Sequence, residues 1–353
     1  MQTTFIWEYT TMRNITSRKS VVGQAVACAL LLTVMSGLQS VQAHEYTALL
    51  DAKKYAEVET AVAAKLVIEP NNADALLGNI DLILLGDNVK RFDDAAKMAE
   101  QCITHNPKNS ECHEALGNVL GSKAEKGDMM EAVGSLGTIR DAFKTAIALD
   151  PANYNAAMSL TSFYLEVPGL MGGSTSSAKK LIRATEKSNP EAAKLLQAKF
   201  DLYDEEFEKA SAGALAVNTD NNTTLVKLQR DLLVEIGLTL NREKQFANAE
   251  KVFLAVVQHH PDAAPAYFGL GRSLLEQGKP QDALLSLEKS LQINATAAVH
   301  YRLGQTWLAL GDNTKAASAF EQALAFKPAL SAKSREDAEA QLKALKNPGF
   351  GSK

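Results

Sequence analysis

Residues 269–290 read GLGRSLLEQGKPQDALLSLEKS, and residues 302–323 read RLGQTWLALGDNTKAASAFEQA. Laid over each other, they place Gly271 on Gly304, Ala283 on Ala316 and Ser290 on Ala323. A third stretch, Ile236-Gly237-Leu238, continues the pattern through Ala249 and Val256. In each, an Ala follows the Gly by 12 residues, and the glycines lie 34 and 33 residues apart. Self-similarity at such a period marks an array of supersecondary units rather than a single packed domain. Two short antiparallel helices approach most closely where both present a small residue. Bulkier side chains such as Leu274, Leu287, Trp307 and Phe320 then fill the space between turns. One such hairpin cannot bury its apolar stripe alone, so neighbours must stack and share a core. Pro261 and Pro328 close two of the units, where a proline cannot continue the second helix.

At these residues the chain resembles the tetratricopeptide repeat, which has small residues on both helices, an aromatic or Leu on the second, and a closing Pro. Carried backwards, the register finds Ala198, Phe207, Ala210 and Val217 in the unit from Glu191. It finds Ser159 and Ala178 before Pro190, with extra residues between the helices, and Gly117, Phe143 and Ala146 before Pro151. Gly78, Phe92 and Ala95 precede Pro107, and a degenerate first unit ends at Pro70. The resemblance implies an all-α, right-handed superhelical solenoid of about eight helical hairpins. Ser334 to Lys346, rich in Ala, Glu and Lys, reads as the polar capping helix, followed by a loose tail from Pro348. The expected organisation is a signal peptide over 1–43, units with insertions over 44–190, regular units over 191–330, and cap and tail over 331–353. The competing reading, a helical bundle without repeats, does not account for so regular a recurrence of small residues.

Bulk chemistry narrows the function. Forty-one acidic residues against 37 basic ones leave a formal charge of -4, and the two signs are mixed along the chain. Nucleic-acid phosphates call for a concentrated basic face, which is missing, so no nucleic-acid partner is expected. The N-terminus stands apart. Arg13, Arg18 and Lys19 precede an apolar run from Val21 to Val34, then Val41-Gln42-Ala43. A basic start, a short apolar centre and small residues before the cut form a secretory signal. Cleavage after Ala43 would leave His44 first and place the protein in the periplasm. The other reading is an uncleaved anchor, the only route by which a membrane would be involved. Cys28, preceded by Ala25-Val26-Ala27, is a poor lipid-attachment site.

Catalytic chemistry finds no residues to carry it. None of His44, His105, His113, His259, His260 and His300 forms the helical i, i+4 pair with a carboxylate that a metal site needs. No metal, no cofactor and no enzyme activity are expected. His259-His260, at the end of a second helix, reads as a capping or solvated pair. The Gly-rich segment Pro168-Gly169-Leu170-Met171-Gly172-Gly173-Ser174-Thr175 lacks the Gly-Lys-Ser/Thr ending of a phosphate loop. It reads as a wide turn in which Ser174 or Thr175 caps a helix beginning near Ala178, with anion binding on its amides as the alternative. Cys102 and Cys112 each lie five residues from Pro107, on antiparallel helices joined at that turn. Facing positions in an oxidising compartment give a disulfide; the alternative is two small buried thiols.

In the resembled family the first helices line the concave face. Mapped onto this chain, that face includes Asn79, Glu114, Asn118, Phe163, Tyr164, Lys199, Tyr203, Phe268, Arg272, Tyr301 and Gln305. Asn79 and Asn118 fall at the same place in successive units, where amides can grip an extended backbone or merely sit hydrated. Phe163, Tyr164, Phe268 and Tyr301 are anchors of the kind that dominate interface energies. The Lys and Arg set with which some relatives clamp a terminal carboxylate is absent here, Ala75 standing beside Asn79. The expected function is a periplasmic scaffold or adaptor that binds a protein or peptide of the cell envelope in its groove. The alternative is a helper subunit or carrier that holds a glycan or small ligand among the groove aromatics.

Overall fold

The computed structural model describes residues 44–346 apart from 87, 127–128, 221 and 328. The signal sequence, its cleavage site, Pro328 and the tail from Pro348 therefore lie outside the described residues. The chain divides into two compact units, whose described parts are residues 44–160 with 167–172, and residues 161–166 with 173–346.

The first unit holds three helical hairpins: α1 (Thr47–Asp51) with α2 (Tyr55–Ile68), α3 (Ala73–Leu85) with α4 (Phe92–His105), and α5 (Ser110–Lys126) with α6 (Met129–Leu149). The next two helices, α7 (Tyr154–Glu166) and α8 (Thr175–Ser188), lie where the units divide. Four more hairpins follow in the second unit: α9 (Pro190–Tyr203) with α10 (Phe207–Leu215), α11 (Thr223–Arg242) with α12 (Phe246–His259), α13 (Ala264–Glu276) with α14 (Pro280–Ile293), and α15 (Ala297–Ala309) with α16 (Asn313–Ala325). A single helix, α17 (Ala332–Lys346), ends the array. Among the described residues the protein is all-α, a solenoid of helical hairpins with a closing helix.

Small residues set the packing, as the repeat register requires. Ala95, Ala178, Ala210, Ala249, Ala283 and Ala316, one from each of six second helices, are all completely buried. The glycines of the first helices answer the rings opposite. A Cβ on Gly237 would lie 2.6 Å from the Phe253 ring, and one on Gly269 of the next hairpin would run into the same ring. Phe253 is thus gripped by glycines from two successive hairpins and is fully buried.

Helix starts follow the local chemistry of Pro and Asn. Asn72, Asn189 and Asn222 each accept a hydrogen bond from the main-chain N–H three residues on, at 3.0 Å. Such a cap is worth about 1 kcal/mol. Pro190 begins α9 at its first position rather than ending the preceding unit, a place where its missing N–H costs nothing. In the unit ending at Pro151 the added length goes into its helices, since α5 and α6 run to 17 and 21 residues where most others have 13 or 14. In the Gly-rich loop a short 3-10 turn, Gly169–Met171, leads into left-handed Gly172 (φ 109°). Ser174 then caps a helix that begins at Thr175, three residues earlier than the sequence suggests.

Within each unit the first helices of neighbouring hairpins lean on one another, α3 on α5 and α9 on α11 on α13 on α15. The second helices of successive hairpins meet far less. The first helices therefore form the inner surface of each stack.

Candidate functional site

The inner surface of the second unit is crossed by side chains that tie one hairpin to the next. Lys199 on α9 donates to Glu166 at 2.9 Å and to Glu235 on α11 at 2.6 Å. Its side chain is 6% exposed, and the two carboxylates outweigh the cost of burial, so its pKa lies above the usual lysine value. Burial raises the Glu166 carboxyl despite the ammonium beside it. Asn241 donates through Nδ2 to the Gly269 carbonyl at 2.9 Å and accepts from the Ser273 hydroxyl at 2.8 Å, joining α11 to α13. Arg302 on α15 pairs with Glu276 on α13 at 3.2 Å and donates to Gln305 Oε1 at 2.9 Å. Gln305 donates to the Tyr301 hydroxyl, which donates to Asp337 on α17, each at 2.7 Å. Burial and that carboxylate push the Tyr301 phenol up to about 12.

Several residues expected to face a partner are thereby already engaged. Lys199 is an internal strut rather than a free cation of the groove. Phe163 is buried, with the Tyr164 ring edge-on to it at 6.1 Å, so it is no open anchor. Tyr203 is half-buried. Tyr301 and Gln305 serve the chain of hydrogen bonds leading to Asp337. Phe268 is half-buried and packs toward Leu287 and Leu303. Arg272 keeps the most unspent capacity. It donates through one Nη to the Asn241 carbonyl at 3.3 Å, and its Nε, shielded from solvent, has no acceptor.

The inner surface of the first unit is acidic instead. Asp74 and Asp81 on α3 stand near Glu111 and Glu114 on α5. The His44 imidazole donates through Nε2 to Asp81 at 3.0 Å, while its Nδ1 accepts from the Tyr46 main chain at 3.3 Å. Burial works against charge on this ring, but the Asp81 hydrogen bond and the surrounding carboxylates leave its pKa raised. Glu111 and Glu114 are each pushed up to about 7, first by burial and then by neighbouring carboxylates. Hydrogen bonds from Asn153 and Asn118 to Glu114 work in the other direction. Of the two expected amides, Asn118 is therefore committed to Glu114, at 3.3 Å, while the half-buried Asn79 forms no side-chain hydrogen bond among the described residues.

Two further features resolve plainly. Cys102 on α4 and Cys112 on α5 are joined as a disulfide. In the Gly-rich loop three amides are spent internally, Met171 on Pro168, Gly172 on Gly169 and Ser174 on Tyr164. The partners Glu166, Glu235, Asn241 and Asp337 were not singled out from sequence. A signal existed for some of them, since Glu166, Lys199 and Glu235 alternate in sign about one repeat apart.

Comparison with known proteins follows the same lines. Residues 235–298 and 297–330 each match a model described as tetratricopeptide repeat. Residues 235–330 of this chain carry tetratricopeptide repeats. Among curated proteins none matches its sequence. Similar solved structures include one described as a functional characterization of Pseudomonas aeruginosa pilF, 14% identical with a TM-score of 0.45, covering 76% of this chain and 97% of that one. Yeast Tom70 is 16% identical with a TM-score of 0.44, covering 79% of this chain and 66% of its own. A tetratricopeptide repeat protein from Parabacteroides merdae is 15% identical with a TM-score of 0.38, covering 78% and 99%. Tetratricopeptide repeats are protein-binding modules and typically non-catalytic, and an array of them here makes a protein-interaction scaffold.

Proposed function

We propose that this tetratricopeptide-repeat protein is an exported adaptor of the cell envelope, working in the periplasm and holding a protein or peptide partner on the inner surface of its first helices. The observation that carries the reading is the first-helix surface of each unit, on which, among the described residues, the half-buried Asn79 side chain makes no hydrogen bond and the Arg272 Nε has no acceptor. Export is supported by the basic, apolar and small-residue succession over residues 13–43, and by the Cys102–Cys112 disulfide, a bond that persists in oxidising compartments. A protein partner is favoured over a glycan or small ligand because two of the groove aromatics are taken up by the fold itself, Phe163 by burial and Tyr301 by its hydrogen bond to Asp337.

A photo-crosslinking side chain at the positions of Asn79 and Phe268, introduced one at a time in the full chain in cells, tests this. Recovery of the same one or two envelope proteins, from a chain whose mass begins at His44, is the expected result. Crosslinks to cytoplasmic proteins only, or an uncut N-terminus in the inner membrane, would overturn the location. Retention of a glycan with no protein crosslink would overturn the partner class.

A further inference from the structure

The cations on the inner surface of the second unit are not all balanced. Lys199 has two carboxylates, Arg302 has Glu276, and Arg230 has Asp231 at 2.9 Å. Arg242 on α11 and Arg272 on α13 have none within bridging distance among the described residues. Arg242 donates to the Thr239 hydroxyl at 2.8 Å, and Arg272 to a main-chain carbonyl. Both acceptors are neutral.

The Arg242 charge also reaches Arg272. Burial is the first influence lowering the Arg272 pKa, followed by the charge of Arg302; Arg242 acts in the same direction. The one carboxylate that opposes them, Glu276, lies one turn along α13 and is already bridged to Arg302. Arg242 and Arg302, on the first helices to either side, thus both bear on Arg272, and Glu276 is spent on Arg302. A half-buried guanidinium with an unpaired Nε is a costly arrangement in isolation. A planar carboxylate offers the acceptor geometry a guanidinium fork fits best. One turn before Arg272 on the same helix face stands half-buried Phe268, an apolar neighbour for the residue next to such a carboxylate.

We infer that Arg242 and Arg272 form a docking site for an acidic segment of the protein partner, with a Glu or Asp side chain paired to Arg272 and an apolar side chain beside it against Phe268. The inference rests on the protein-interaction reading above and specifies the partner's chemistry. A peptide is favoured over a free anion because the cations are spread over α11, α13 and α15 rather than gathered round one point.

Selection of a random dodecapeptide display library on the full chain tests it, followed by affinity measurement of the synthetic consensus peptide. The selected peptides should be enriched in Glu and Asp next to an apolar residue. Arg272→Gln should weaken the consensus peptide about tenfold, the scale of one charge-assisted pairing. Arg242→Gln with Arg272→Gln should weaken it further, and Arg272→Lys, which keeps charge but loses the fork, should fall between wild type and Arg272→Gln. Neutral or basic consensus sequences, no selected sequence, or an affinity unchanged in the double variant would overturn the inference. So would displacement of the peptide by inorganic phosphate at the peptide's own concentration, which would mark a free-anion site. Thermal unfolding of each variant guards against a folding defect; if Arg272→Gln does not fold, Arg272→Lys and Arg242→Gln carry the test. Should the crosslinking experiment yield a partner that Arg272→Gln binds unchanged, the adaptor reading stands and this one falls.

Discussion

The two units share one architecture and differ in how they meet the charge on it. In the first, the inner surface gathers Asp74, Asp81, Glu111 and Glu114, and His44 is the positive group that acts on both glutamates. In the second, opposite charges on adjacent first helices pair across the stack, as in Glu166–Lys199–Glu235 and Glu276–Arg302. The first unit instead links α4 to α5 covalently through Cys102 and Cys112. The repeat fixes where side chains stand and leaves open whether they hold neighbours together, repel one another or wait for a partner.

The sharpest way to break the contrast is at Lys199. Lys199→Met leaves Glu166 and Glu235 facing each other without their cation and should cost about 3 kcal/mol or more in denaturant unfolding. Hydrogen exchange should place the loss in α9 and α11. If stability is unchanged, the polar links are not what holds the second unit. Next in size is the disulfide. Cys102→Ser with Cys112→Ser should cost about 2–3 kcal/mol, read in α4 and α5 and absent from the second unit. A comparable effect comes from Gly269→Ala, whose new methyl meets the Phe253 ring; about 1–3 kcal/mol is expected, lowering the melting temperature of the second unit.

The smallest effect is the one with a pH signature. Glu111 and Glu114 have folded pKa values near 7, above the 4.5 of an ordinary glutamate. Between those values the folded state binds more protons than the unfolded chain. Their contribution is therefore fully present below about pH 4.5 and is lost as pH rises through about 7. The first unit should melt a few degrees lower at pH 8 than at pH 5.5, with the difference reduced in Glu111→Gln with Glu114→Gln. A difference of the opposite sign would mean that these carboxyls are ionised without penalty.

The fold was legible because its rule is steric and local. Gly237, Gly271 and Gly304, with an Ala 12 residues after each, are what close helix contact demands, since a Cβ at any of them would crowd the Phe253, Leu287 or Phe320 side chain opposite. Cys102 and Cys112 were legible for the same reason, their pairing following from one turn. The inner surface was legible only in outline. Lys199 and Tyr301 stood where a partner could reach them, but their fate depended on Glu235 and Asp337, each 36 residues on in the sequence. Whether such side chains meet depends on the rotation between hairpins, which the apolar pattern does not encode. Arg272 was expected on the inner surface, while its lack of a counter-charge among the described residues became visible only once the partners of its neighbours were known.

The disulfide also has a mechanical meaning. It spans 10 residues of sequence across a Cα–Cα gap of 5.5 Å and bypasses the Pro107 turn. A chain pulled from its two ends would carry tension through the sulfurs and keep that turn slack. In a force–extension measurement the fully stretched oxidised protein should stop about 30 Å short of the reduced one, the length of backbone the bond withholds. An adaptor under tension would therefore lengthen at its other joints, in either unit, while the one between α4 and α5 kept its length.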